Sequence, residues 1–188
     1  MNMSETKEHP VAKAVRAQAG VVLAECYQCG KCTAGCPMAP YMDLAPNQVM
    51  RLAQAGDAAA LERLLGCETL WYCVGCLTCA QRCPRQLDPA AVMDVLREMA
   101  QRRGKIPAAA RKVLAFHKAF LATVEWGGRM AEIPLVLRYK MSSLDLLGDA
   151  DLGPVMLVKG KLPLRPHRIR GRSEIRRIFE KCRKEKQP

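Results

Sequence analysis

Two copies of one cysteine pattern, set 47 residues apart, constrain this chain more than any other feature of its sequence. Cys26, Cys29, Cys32 and Cys36 precede Pro37, and Cys73, Cys76, Cys79 and Cys83 precede Pro84. Both runs read C-x2-C-x2-C-x3-C-P, so eight of the ten cysteines fall into two identical grids. That is the ligand pattern of a protein carrying two 4Fe-4S clusters.

The spacing has a mechanical reason. Three thiolates from one tight loop wrap three irons of a cubane, and the same loop does not also reach the fourth corner. In two-cluster ferredoxins the last cysteine of each run crosses to the other cluster. Applied here, Cys26, Cys29, Cys32 and Cys83 hold one cluster, and Cys73, Cys76, Cys79 and Cys36 hold the other. Pro37 and Pro84 stop the chain from continuing straight beside each crossing ligand and remove a backbone donor there. Gly30, Gly35 and Gly75 suit loops in which backbone must turn sharply close to a cluster.

Two other uses of cysteine fit less well. Structural zinc takes two separated pairs of ligands around one tetrahedral ion, whereas each loop here offers a third cysteine at the same short interval and a fourth before proline. A disulfide framework suits a short secreted chain, but residues 1–10 are polar and no apolar stretch follows a basic start. The expected location is the cytoplasm, where thiols stay reduced, with any membrane association supplied by partners.

A length of 188 residues suits one domain, or a small domain with an appended arm. Few aromatics and many Ala and Leu favour helix. No run approaches a membrane span, the best candidate being interrupted by Arg111, Lys112, His117 and Lys118. The formal charge of +12 falls to +8 once eight thiolates and two oxidised clusters are included. Residues 159–188 alone hold twelve Lys or Arg against three Glu, so the basic character belongs to the C-terminal arm.

The 36 residues between Cys36 and Cys73 read as helix rather than hairpin. Pro46 suits a first helical turn, and Val49, Met50, Leu52 and Ala53 follow at helical intervals up to Gly56. Asp57 reads as the N-cap of a second helix with Leu61, Leu64 and Leu65 on one face and Gly66 as its stop. After the second motif, Asp88 and Pro89 give a cap and a first-turn proline. Val92, Met93, Val95, Leu96 and Met99 then carry a helix towards Gly104.

Helices interleaved with two such loops resemble the alpha-helical ferredoxin fold of succinate dehydrogenase iron-sulfur subunits and of the heterodisulfide reductase C subunit. The second of these families is the nearer in size. Leu70-Trp71-Tyr72-Cys73 through Arg82-Cys83-Pro84-Arg85 resembles its second cluster loop. Gly160-Lys161-Leu162-Pro163-Leu164 and the stretch from Ile175 to Phe179 resemble its tail. The resemblance implies an all-α chain, with an alpha-helical ferredoxin domain at 1–104 and a helical extension with a basic docking tail at 105–188. It also implies a non-catalytic electron-transfer protein of a larger complex, relaying single electrons between a flavin-containing A subunit (a flavoprotein) and a disulfide-active, cysteine-rich B subunit. The chain itself has no Rossmann glycine fingerprint for a flavin and none of the CCG-type repeats expected of the B subunit.

The remaining features stay open on sequence alone. Val113, Leu114, Phe116, Phe120, Leu121 and Val124 form a helical stripe, broken by Gly127 and Gly128 and followed by Met130, Ile133, Leu135, Val136 and Leu137. It reads either as core or as a docking face for a partner. Ile175, Ile178 and Phe179 give the basic tail an apolar edge suited to a protein partner, and the tail lacks the aromatics of a nucleic-acid module. Lys31, Arg82 and Arg85 are the charged candidates for tuning cluster potential. Cys67 reads as a buried thiol and Cys182 as a surface one. His9, His117 and His167 lie outside the loops, against a Rieske-type centre. Two alternative functions stand beside the relay: an iron-sulfur component of a quinone-linked glycerol-3-phosphate or succinate-type dehydrogenase, and an iron-sulfur nucleic-acid-binding protein.

Overall fold

Proline opens three of the longer helices around the cysteine loops, and the computed structural model places these starts where the sequence punctuates them. The structure describes residues 9–143, 155, 156, 158–160 and 169–185. Every regular element among them is a helix, and the fold is all-α. The chain divides into two units, Met1–Ala110 and Arg111–Pro188.

In the first unit, helix α1 (Pro10–Ala19) starts on Pro10. The His9 ring caps it, Nδ1 accepting from the Ala12 N–H at 3.3 Å. Gly20, at φ 67°, closes the helix by donating its N–H to the Arg16 carbonyl. Helix α1 goes beyond the elements expected from the sequence, although Pro10, Val11, Val15 and Gly20 carry its signal. Two single-turn helices, α2 (Lys31–Ala34) and α6 (Thr78–Gln81), lie inside the cysteine loops, and α5 (Thr69–Tyr72) leads into the second loop.

Between the loops run α3 (Pro46–Ala55) and α4 (Ala58–Gly66), and after them α7 (Pro89–Arg102). Asp57 caps α4 by accepting from the Ala60 N–H at 2.8 Å. Asp88 caps α7 through the Ala90 and Ala91 N–H groups at 2.9 and 3.0 Å. Ala45 has no capping oxygen, and the Gln48 side chain instead accepts its N–H at 2.9 Å. Gly66 is the last helical residue of α4 rather than a cap, and Leu61 is only half-buried while Leu64 and Leu65 are fully enclosed.

Helix α7 is the central strut, packing against α1, α3, α4, α5 and α6, while α3 packs on α2 and α4. Val15, Val49, Leu64, Leu70, Val92 and Leu96 are completely buried there. Each such side chain contributes roughly 1.5–3 kcal/mol by leaving water, against about 1 kcal/mol for a good N-cap. Caps therefore set where the helices begin, and the apolar seam holds them together.

The second unit contains α8 from Arg111 onward (the helix spans Ala110–Gly127), α9 (Glu132–Ser143) and α10 (Arg172–Glu185). Gly128, at φ 81°, turns the chain between α8 and α9, as the glycine pair leads one to expect. The Arg172 guanidinium lies 5.3 Å from the Trp126 ring centroid, and Arg183 pairs with Glu125, so α10 is tied to the end of α8. The apolar stripe is distributed differently from its sequence reading. Small side chains, Ala119 and Thr123, are buried, whereas Phe116, Phe120 and Leu121 stay exposed. The expected tail motif over 161–164, together with His167 and Arg168, lies outside the described residues. No helix among the described residues is long and apolar enough to cross a membrane.

Candidate metal centres

The two cysteine loops share one backbone design. The third residue of each is left-handed, Gln28 at φ 63° and Gly75 at φ 64°, and so is the fifth, Gly30 at φ 76° and Leu77 at φ 59°. Immediately afterwards a single helical turn, α2 or α6, carries the third cysteine of the motif. These two short helices pack on one another. A left-handed Leu is costly, since its Cβ crowds the following carbonyl by about 1–2 kcal/mol, and Gly35 serves a different purpose. A Cβ on Gly35 would lie 2.5 Å from an Arg82 guanidinium nitrogen, so the missing side chain lets Arg82 lie across the first loop.

This folding gathers the cysteines into two sets of four. One cavity is lined by Cys26, Cys29, Cys32 and Cys83. The other is lined by Cys36, Cys73, Cys76 and Cys79. The fourth cysteine of each motif thus lies at the cavity of the other motif. Cys29 and Cys76 are exposed and the other six are half-buried. Apolar neighbours complete the walls: Met50 and Leu87 at the first, Met42 and Met93 at the second.

The donor set suits a cluster rather than a single ion. Among the described residues, no three His, Cys, Asp or Glu converge on a point where one ion would bind. Zinc needs such convergence, with sulfurs about 2.3 Å from one centre, whereas four thiols spread around a cavity suit four separate irons. The acidities agree. Burial pushes the Cys32 and Cys73 thiols up, and Cys79 to about 11. Thiolates form in such surroundings when cations inside the cavity compensate them. At the exposed edge the trend reverses, and the Thr78 hydroxyl and N–H hold the Cys76 thiol down. The Leu87 N–H donates to the Cys83 sulfur at 3.3 Å, the kind of bond that stabilises negative charge on cluster sulfur.

Three side chains brace the loops. Gln54 of α3 donates to the Leu23 and Cys26 carbonyls at 2.8 and 2.7 Å. Arg97 of α7 donates to the Leu70 and Cys73 carbonyls at 2.7 and 3.2 Å. Asp43 ties the inter-motif segment to the start of α5. Its Oδ1 accepts from the Leu44 N–H at 3.0 Å and the Thr69 N–H at 2.9 Å, and its Oδ2 accepts from the Glu68 N–H at 3.0 Å. The Thr69 hydroxyl stands 2.7 Å from Oδ1. Burial alone would raise the Asp43 carboxyl, but the Thr69 hydroxyl and these three N–H groups outweigh it and hold the group below its ordinary value.

None of the three braces is apparent from the cysteine motifs. Of the charged residues that the sequence nominates, Arg82 lies against Gly35, Arg85 pairs with Glu25 at 3.6 Å on the surface, and Lys31 is exposed. Cys67 is buried, with its thiol pushed up to about 11 by that burial, and lines neither cavity. Cys182 is exposed. His9 serves as a helix cap whose Nε2 reaches the Gln54 carbonyl oxygen at 3.2 Å.

Comparison with known proteins gives this arrangement a family. The model of the 4Fe-4S dicluster domain matches residues 25–87. The chain is 36% identical over 100 residues to the C subunit of the ferredoxin:CoB-CoM heterodisulfide reductase of Methanosarcina acetivorans, a match covering 53% of this chain and 39% of that protein. It is 32% identical over 108 residues to the second iron-sulfur C subunit of the CoB--CoM heterodisulfide reductase of Methanocaldococcus jannaschii, covering 57% and 56%. It is 31% identical over 102 residues to the C subunit of the H(2):CoB-CoM heterodisulfide,ferredoxin reductase of Methanothermobacter marburgensis, covering 54% of each. The chain thus spans 39–56% of the length of these relatives. With its duplicated cysteine loops, helical frame and these similarities, the chain is similar over its cluster region to the C subunits of heterodisulfide reductases, and its 4Fe-4S dicluster domain carries two 4Fe-4S clusters.

Proposed function

We propose that the chain is the relay component of a heterodisulfide reductase-like complex, passing single electrons between a flavin-containing A subunit and a cysteine-rich, disulfide-active B subunit. The observation that carries this reading is the closed donor set of each cavity. Cys26, Cys29, Cys32 and Cys83 would hold one cluster, and Cys36, Cys73, Cys76 and Cys79 the other. Four thiolates for four irons leave no open position for a substrate. When bound, a 4Fe-4S cluster supplies reversible one-electron exchange.

The protein's own part is to hold the two sites side by side and set their environment. Cys36 and Cys83 each belong to one loop in sequence and to the opposite cavity in space, so the sites are mechanically joined. Exposed side chains mark edges where partners would approach: Tyr27 beside Cys29, and Val74 and Leu77 flanking Cys76. Phe116, Leu121, Trp126, Leu137 and Met141 of α8 and α9 are also exposed, an apolar area that supports the docking reading of that stripe.

The test is an affinity pull-down of anaerobically prepared protein from its native extract, with iron, acid-labile sulfide and flavin counted in what is recovered. Recovery of a flavoprotein together with a cysteine-rich disulfide-active protein is the expected result. Recovery of a quinone-linked membrane dehydrogenase or of nucleic acid, with both clusters present, would overturn the assignment to this complex and leave the two-cluster chemistry standing.

A further inference from the structure

Each cysteine loop is entered over a pair of carbonyls that one side chain of the following long helix clasps. In the first loop the clasp is the Gln54 amide, donating to Leu23 and Cys26. In the second it is the Arg97 guanidinium, donating to Leu70 and Cys73. Leu23 and Leu70 each stand three residues before the first cysteine of their motif. Gln54 and Arg97 are each the ninth residue of a helix that opens on proline. The clasps are therefore equivalent within the duplication, but one is a neutral amide and the other a guanidinium that never loses its charge.

We infer that Arg97 is a positioning residue that makes the two matched sites electrically unequal, raising the reduction potential of the site formed by Cys36, Cys73, Cys76 and Cys79 above that of its twin. An added electron makes a cluster more negative, and a fixed cation nearby stabilises that state. An electron entering the chain then settles at the second site.

The Asp88 carboxylate acts on Cys79 of the second site and opposes Arg97, but the Ala90 and Ala91 N–H groups that it accepts at the start of α7 partly offset it, and the other neighbouring charges leave the asymmetry in place. Asp94 pairs with Arg97 at 2.7 Å, but the Asp94 side chain is 69% exposed and that of Arg97 only 21%, so water screens the carboxylate more strongly. Arg85 at the first motif is itself exposed and neutralised by Glu25. Arg82 lies over Gly35, next to Cys36 of one site, and directly precedes Cys83 of the other, so it is shared by both.

The inference rests on the ligand grouping proposed above, and the experiment separates the two. The full chain carrying both clusters is titrated anaerobically against potential, followed by electron paramagnetic resonance, as wild type, R97Q, R97K and D94N, with iron and sulfide counted in each. R97Q is expected to lower the higher midpoint towards the other and leave the lower one in place. R97K, which keeps the charge but not the forked donor, is expected to retain most of the higher midpoint, and D94N to raise it. R97Q with both clusters and unmoved midpoints overturns the inference, as does an equal shift in R97Q and R97K, which would put the effect in geometry. Should R97Q lose a cluster, D94N decides, because it changes only an exposed side chain: an unmoved higher midpoint overturns the inference. A wild-type chain holding fewer than two clusters would instead overturn the grouping itself, and the inference with it.

Discussion

Asp43→Asn is the substitution whose cost follows most directly from the structure. The carboxylate accepts three backbone N–H groups, those of Leu44, Glu68 and Thr69, and so pins residue 43 to the turn that leads into the second cysteine loop. An isosteric amide keeps one acceptor oxygen and turns an NH2 towards a backbone donor, so at least one bond is lost and the rest lose their charge assistance. A hydrogen bond to a charged group is worth about 1.5–3 kcal/mol. Asp43 faces solvent on one side, and screening reduces the expected cost to about 1–2 kcal/mol. Release of a cluster makes unfolding irreversible, so the useful quantity is a rate. At fixed urea, under anaerobic conditions, D43N should unfold about 5- to 30-fold faster than wild type, read by far-ultraviolet circular dichroism and by bleaching of the cluster absorption. The pH dependence gives a second check. A carboxyl held below its ordinary value in the folded chain contributes fully above the unfolded value of about 3.9, and the contribution is lost as pH falls through the folded value. The difference between variant and wild type should therefore be constant from about pH 6 to 8. A change of less than about twofold, or a difference that drifts across that range, would refute the account of Asp43 as an ionised anchor.

Three further outcomes are expected. C36A and C73A should each empty the same site, so the double variant C36A/C73A should lose no more iron than C73A alone; additive losses would sink the crossed ligand assignment. Gly56 sits at φ 62° with the His9 ring packed where a Cβ would be. G56A should therefore cost at least about 1–2 kcal/mol and lower the thermal midpoint, and an unchanged midpoint would show that this packing is not required. In the native cluster-loaded chain, iodoacetamide should label the exposed Cys182 and spare the buried Cys67, whose thiol is pushed up to about 11; mass-spectrometric detection of native labelling at Cys67 would contradict its enclosure.

Much of the cluster domain is legible in local chemistry. Helices α3, α4 and α7 announce themselves through Pro46, Asp57 and the Asp88-Pro89 pair, because a proline or a capping carboxylate acts on its immediate neighbours. The duplicated cysteines announce the cofactor for a similar reason, since a cubane dictates the spacing of its ligands. Helix α1 carries the same punctuation but lies in a polar N-terminal region where only Val11 and Val15 point to a buried face. Gln54 and Arg97 are not legible from the motifs, since the carbonyls each one clasps lie 24 to 31 residues away in sequence and meet it only in space. Their equivalence shows when the two halves are aligned on Pro46 and Pro89 rather than on the cysteines. The stripe of α8 shows the converse limit. Periodicity marks Phe116, Phe120 and Leu121 as sharing a helix, yet burial is decided by what packs there, and Ala119 and Thr123 take the enclosed positions.

Because ribosomes deliver a protein from its N-terminus, the exchange of Cys36 and Cys83 between cavities also governs timing. The cavity of the first motif lacks its last thiol until Cys83 emerges, and that of the second until Cys79 does. Sites whose motifs begin 47 residues apart therefore become complete within four residues of each other. A nascent chain stopped between the motifs presents the four thiols of the first motif, three for one cavity and one for the other, and no finished receptacle, so iron and sulfide delivery meets either an incomplete chain or both sites together.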